Sequence, residues 1–205
     1  MKTIRERIRL PIFSFIFINY SIVAIYYKYI PNNLDNIIGW SKTISSIIII
    51  NLFISVINGI VPRSWKEILV FWKINNRLPG FKCFSKLIFK DARISVDDLK
   101  EKLGILPTEP KKQNELWYKV YKEFENDNQI IEIHRLYVLS RDLASIILII
   151  ILTYCVLTIT PSVLNLDFSY FITLIFLIQY FILIIVSRNY CNQFVLDVLA
   201  KKMTP

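Results

Sequence analysis

Lys82, Lys86 and Lys90 recur at i, i+4 and i+8, so a helix over that stretch would carry all three ammonium groups on one face. Phe81, Phe84, Leu87, Ile88 and Phe89 would form the opposite face, and Arg77 and Arg93 bracket the run. Such a face suits phosphate-bearing or acidic ligands: anionic lipid headgroups, a soluble acidic protein, or a nucleotide-like small molecule. Basic residues beside membrane helices also set orientation, which is the plainer use of the same charge. Nucleic acid fits less well, because no recognised nucleic-acid module accompanies the run. Arg77, Lys82, Lys86, Lys90 and Arg93 are therefore the candidate ligand-binding residues.

Asn51, Ser55 and Asn58 lie at i, i+4 and i+7 within an apolar run, with Gly59 beside them. Amides in lipid are costly unless paired, so such a stripe either bonds to neighbouring helices or lines a water-filled path. Asn19 and Gln179, in other apolar runs, are candidate partners. These three residues are the candidate pore-lining set. No charged side chain falls in the middle of any apolar run, which counts against a proton-coupled transporter or a voltage sensor.

Catalytic chemistry finds little support. His134, close in sequence to Glu132, Arg135 and Asp142, is the single histidine, and Ser140 lies almost two helical turns beyond it. A general base needs a nucleophile within hydrogen-bond reach, so His134 reads as a packing or polar contact. One histidine cannot build a His-based metal cluster within a chain. Cys83, Cys155 and Cys191 are odd in number and lack a C-x-x-C spacing, against both a disulfide framework and a zinc ribbon. None of Gly39, Gly59, Gly80 and Gly104 sits in a phosphate-cradling motif. The expectation is a non-enzymatic protein with no cofactor and no metal.

The elements that must position these groups follow from composition. The chain has 205 residues, is 54% hydrophobic and carries a formal charge of +9. Its apolar runs predict four membrane spans, at about 10–27, 44–61, 143–160 and 168–186. At ~1.5 Å per residue these reach roughly 27–29 Å, enough to cross a hydrocarbon core. The predicted fold class is an all-α integral membrane protein, with four transmembrane helices as two hairpins flanking a mostly helical cytosolic insert. Residues 1–61 form an N-terminal arm and the first hairpin, 62–142 the basic insert, 143–187 the second hairpin, and 188–205 an amphipathic tail. The first run lacks the small residues of a signal cleavage site and is read as a retained span with Pro11 in its first turn. Residues 29–40, with Pro31 and Gly39, read as a turn-rich connection, with Tyr29 and Trp40 suited to the interface belt. Pro161 opens a tight link over 161–167.

Lys and Arg near span ends number 14 on one side against two, Lys28 and Lys42, on the other. The positive-inside rule then puts both termini and the insert in the cytoplasm, in the cell's inner membrane. Within the insert, residues 64–76 read as an amphipathic helix with Trp65 and Trp72 as interface anchors, broken at Leu78-Pro79-Gly80. Ser95 and Gly104 are expected to cap one short helix. Thr108 is expected to cap another running to about residue 126, with Trp117, Tyr121 and Phe124 on its core face. From Gln129 no breaker intervenes before the third span, which predicts one long helix. Residues 189–203 read as a short amphipathic helix lying against the membrane or the insert.

The layout of two spans, a basic insert carrying Arg77 to Arg93, and two more spans, together with Asn51, Ser55 and Asn58, resembles that of small membrane effectors of prokaryotic antiviral systems. These are the four-span pore-forming effectors of nucleotide-signalled immunity and the membrane subunit of the Kiwa system. The resemblance covers the whole chain and rests on layout. It implies a channel-like effector in which a cytosolic trigger or partner drives homo-oligomerisation and permeabilisation. Two other functions fit the sequence: a membrane anchor recruiting a soluble partner through Lys82, Lys86 and Lys90, and a lipid-modifying enzyme, which would need an acid–base pair at His134.

Overall fold

The computed structural model describes residues 3–27, 37–159 and 169–203, and among these every regular element is helical. In chain order they are α1 (Ile4–Tyr26), α2 (Ile37–Ile60), α3 (Arg63–Phe71), three short non-α turns over Pro79–Lys82, Cys83–Leu87 and Ile88–Lys90, α4 (Val96–Leu103), α5 (Pro110–Glu123), α6 (Asn128–Ile159) and α7 (Tyr170–Met203). Helices α1, α6 and α7 are each long and apolar enough to cross a membrane. Residues 44–60 of α2 qualify only together with α3, from which they are bent by 94° at Val61 and Pro62. The chain is thus an all-helical, membrane-embedded protein. The expected connections over 28–36 and 161–167, with Lys28, Tyr29, Pro31 and Pro161, and the side chains of Trp40 and Lys42, lie outside the described residues.

Several helix ends differ from those expected, each for a local reason. Helix α1 starts at Ile4 rather than in the run after Arg9. Thr3 Oγ1 accepts from the Glu6 N–H at 3.3 Å, and the Glu6 carboxylate accepts from the Thr3 N–H at 3.0 Å, a reciprocal capping box. Pro11 therefore lies inside the helix, not in its first turn. Helix α2 begins at Ile37 and takes in Gly39, upstream of the expected start at 44. The N-cap position of helix α5 is Glu109, not Thr108, with no side-chain capping bond, and the helix stops at Glu123. The Thr108 carbonyl instead accepts from Gln113 Nε2 at 2.8 Å. The amphipathic helix after Pro62 ends at Phe71, because Trp72 turns to φ 53. The expected short tail helix is the uninterrupted continuation of α7 through Arg188 to Met203.

The chain divides into two units, Met1–Lys66 with Asp142–Leu183, and Glu67–Arg141 with Ile184–Pro205. The first, membrane-type unit packs Ile16 of α1 and Ile54 of α2 with Ile146, Ile147 and Ile150 of α6 and Ile172 and Phe176 of α7. Among lipid chains such packing holds by van der Waals fit, since burial from water offers no driving force there. At one end, Tyr154 Oη accepts from the Ser169 N–H at 2.8 Å and lies 2.8 Å from Tyr27 Oη, while Ser169 Oγ donates to Tyr26 Oη at 2.9 Å. This knot ties α1, α6 and the start of α7. Beyond the ends of α2 and of the apolar part of α6, Lys66 and Asp142 form a buried ion pair at 3.4 Å.

The second unit has its own core, in which Phe84, Leu87, Ile88, Leu99, Trp117 and Val120 meet Ile130 and Ile133 of α6 and Phe194, Val195, Val198 and Leu199 of α7. Each such apolar side chain withdrawn from water contributes about 1.5–3 kcal/mol. Ser95 caps α4 through the Asp98 N–H at 3.3 Å, and Gly104 closes it at φ 75, as their types predict. The expected long helix from the insert is present as α6, which runs unbroken through 32 residues. Trp117, Tyr121 and Phe124 pack on this core: Trp117 is buried, and its Nε1–H donates to the Val195 carbonyl at 3.3 Å.

Candidate functional site

Residues 79–90 do not form the α-helix their lysine spacing suggests. They wind as a 3-10 turn, a π turn and a second 3-10 turn. One side chain accounts for this. Gln113, buried in α5, accepts from the N–H groups of both Phe84 and Ser85 at 3.1 Å through Oε1, and anchors itself to Thr108 through Nε2. Those N–H groups thereby gain a partner outside an α-helical ladder, and the segment follows α5 instead. Gly80 lets it approach: a Cβ there would stand 2.4 Å from Asn114 Oδ1 and 3.3 Å from the Trp117 ring.

The irregular winding still sorts the side chains. Cys83, Phe84, Leu87 and Ile88 point into the core, and burial pushes the Cys83 thiol up to about 12. Lys82, Ser85, Lys86, Phe89 and Lys90 are exposed. Lys82 is pushed below the ordinary lysine range, first by partial burial and then by the charges of Lys73, Lys90 and Lys86. Lys73, exposed after the end of α3, thus belongs to the same cluster. None of the four lysines forms an ion pair among the described residues.

The two arginines of the candidate set are engaged inside the unit. Arg77 pairs with the buried Glu67 at 3.5 Å and donates to the Ile74 carbonyl at 2.6 Å. Arg93 bridges Asp91 at 2.6 Å and Asp197 of α7 at 2.8 Å. Its hydrogen bond holds the Asp91 carboxyl below the usual carboxylate range, and both acids hold the guanidinium above its own. The exposed basic face without internal ion pairs among the described residues is therefore Lys73, Lys82, Lys86 and Lys90, while Arg77 and Arg93 are engaged within the unit. Lys73 escaped the spacing argument because it sits outside the i, i+4 series.

In the membrane-type unit, Asn51 and Asn58 are buried and Ser55 is half-buried, and each keeps a side-chain oxygen without a hydrogen-bond partner. Asn19 Oδ1, Ser145 Oγ and Gln179 Oε1 are in the same condition. Asn19 spends its amide on the Phe15 carbonyl of its own helix at 2.9 Å, so the expected pairing with the α2 stripe is not made. Asn51 stands on the wall of an open cleft of about 340 Å³ between α1 and α2, lined otherwise by Phe13, Ser14, Phe17, Ile18, Ile48 and Leu52. Ser145 was missed by spacing; its signal was a hydroxyl within an otherwise apolar run.

His134 sits in an aromatic group. Its ring stacks on Phe194 at 4.8 Å, and Nδ1 lies 3.5 Å from Tyr121 Oη. Glu132 and Arg135 pair with each other, and Ser140 Oγ donates to the Tyr137 carbonyl. Among the described residues no group of three or more His, Cys, Asp or Glu side chains could hold a metal ion. No protein-family model, no curated protein and no solved structure matches this chain.

Proposed function

We propose that the protein is a non-enzymatic, channel-like membrane effector, which assembles as a homo-oligomer and is controlled by its basic unit. The observation that carries this reading is the set of unpartnered oxygens on Asn51, Ser55 and Asn58. An amide oxygen left unbonded in a membrane costs several kcal/mol in order of magnitude, so its partner is to be sought outside one chain. These oxygens are buried in the single chain, so in this reading the helices shift on opening and admit water of the conducting path or a second copy's helix as the partner. In this reading α2 is a fourth span, the insert and both termini face the cytoplasm, and the membrane is the cell's inner one. One chain of four spans encloses little aqueous space, which is why an oligomer is part of the proposal. A role in antiviral defence follows from the layout resemblance and belongs to the same proposal.

Ion flux across vesicles containing the purified chain tests it. Asn51→Leu with Asn58→Leu removes the polar stripe without removing apolar packing volume. Flux lost while the helical content survives supports the path; flux unchanged rejects it. A second reading, a membrane anchor that holds a soluble acidic partner, is favoured by the unpaired lysine cluster. It predicts no flux in any membrane, and a partner released when Lys82, Lys86 and Lys90 become Glu.

A further inference from the structure

The basic unit exposes large apolar side chains beside its lysines. Trp72 and Ile74, 58% and 75% exposed, flank Lys73, and Phe89, 67% exposed, precedes Lys90. A solvated face has no need of these three, whereas an interfacial surface uses both parts: ammonium groups for lipid phosphates, apolar side chains for the acyl boundary.

The level of this patch is set by a contact within the same unit. Arg188 follows the apolar run of α7 that ends at Val186. Its guanidinium lies 4.8 Å over the Trp72 ring, and its Nε donates to the Val70 carbonyl at 2.7 Å. Trp72 is thereby fixed beside the turn of α7 where apolar sequence gives way to polar, the depth at which membrane proteins place Trp and Arg. Trp72 itself stands at φ 53, a left-handed backbone uncommon for a bulky residue.

From the Arg188–Trp72 contact, the four unpaired lysines and the three exposed apolar side chains, we infer that the basic unit docks on anionic lipid headgroups of the membrane in which the chain is embedded. The lysines neutralise lipid phosphates, and Trp72, Ile74 and Phe89 enter the headgroup layer. The Lys82 ammonium is depressed first by partial burial and then by the charges of Lys73, Lys90 and Lys86, and that neutralisation relieves the repulsion among them. The inference names the ligand of the basic unit. It rests on the proposed function only for placing this unit at the cytoplasmic face, and does not require conduction.

Spin labels attached at Ile74→Cys or at Phe89→Cys, one at a time in the full chain, test it by accessibility to oxygen and to a water-soluble nickel chelate. Vesicles of phosphatidylcholine alone are compared with vesicles that also contain phosphatidylglycerol. Both labels are expected to be shielded from the chelate in the anionic vesicles and released in the neutral ones. Each lysine reversed to Glu lowers the docked-to-undocked ratio at least about five-fold. Helical content of the Lys82→Glu, Lys86→Glu, Lys90→Glu chain, whose changes are all on exposed positions, confirms that release is not unfolding. Labels equally open to chelate in both vesicles would overturn the inference. So would shielding produced in neutral vesicles by inorganic phosphate, since a soluble anion would then be the ligand. Ion flux through the Asn51 and Asn58 variants is read separately, so loss of either proposal leaves the other standing.

Discussion

Arg93 donates to Asp197 at 2.8 Å although the two residues are 104 positions apart. The same guanidinium grips Asp91, so one side chain locks the segment after the lysine run onto the last turns of α7. Lys201 with Asp127 and Lys202 with Glu123 repeat the arrangement nearer the C-terminus. The basic unit is thus closed by ion pairs around an apolar centre.

Removing the clamp exposes its value. Arg93→Ala leaves the buried Asp197 carboxylate without its cation. The half-exposed arginine is partly screened by water, so the loss is about 1–2 kcal/mol rather than the full cost of a dry pair. Chemical denaturation of the purified chain in detergent, followed by Trp fluorescence, is expected to show this unit unfolding at lower denaturant. Arg93→Lys keeps the charge, loses the two-acid fork, and falls between.

Acid should open the same clamp. The hydrogen bond from Arg93 lowers the Asp91 carboxyl, and the hydrogen bond from Lys201 lowers that of Asp127. A carboxyl whose folded value lies below its unfolded one adds stability above roughly pH 4, and that stability is lost as pH falls through the folded value. The unfolding midpoint is therefore expected to be flat near neutrality and to drop below about pH 4. In Arg93→Ala the drop should be smaller, because less is left to lose.

Gln113 predicts the largest effect of a polar substitution. Gln113→Leu strands the buried N–H group of Phe84, at about 1–3 kcal/mol, and removes the partner of the less buried Ser85 N–H and Thr108 carbonyl, which water can partly replace. Amide hydrogen exchange over residues 79–90 should accelerate more than exchange in α6. Gln113→Glu keeps the acceptor for the two N–H groups and should retain more of the protection.

Lys82 carries a trade between stability and binding. Its folded pKa is lowered, so the protonated form at neutral pH opposes folding, and the penalty fades as pH rises through the folded value. Lys82→Gln should raise the unfolding midpoint slightly in detergent while weakening association with anionic vesicles. A lower midpoint together with unchanged association would contradict both halves.

Much of the local architecture was legible from residue types. Ser95 with Asp98, Gly104, and the unbroken pattern from Gln129 into the third apolar run each act through neighbours in sequence, and the helices follow them. Local signals also misled where a distant partner prevailed. The lysine spacing promised an α-helix, but Gln113 captures two of its N–H groups from another element. The amphipathic run after Pro62 promised residues through 76, but Arg188 takes the Val70 carbonyl and the Trp72 ring. The internal ion pairs of Arg77 and Arg93 were not legible because Asp197 is remote in sequence from Arg93 and Glu67 lies ten positions from Arg77. The Asn51, Ser55 and Asn58 stripe was legible as a stripe; the missing bonds to Asn19 and Gln179 were not.

The most direct test of the account is ion flux through vesicles containing phosphatidylglycerol, measured for the unsubstituted chain and for the Asn51→Leu, Asn58→Leu chain at equal, verified incorporation. Leucine in place of asparagine makes α2 more apolar, so with incorporation verified a difference reports the polar stripe itself. The account predicts flux in the unsubstituted chain and its loss, by ten-fold in order of magnitude for each 1.4 kcal/mol of path stabilisation removed, in the variant. Equal flux from the two chains, or tight vesicles from the folded unsubstituted chain, would contradict it.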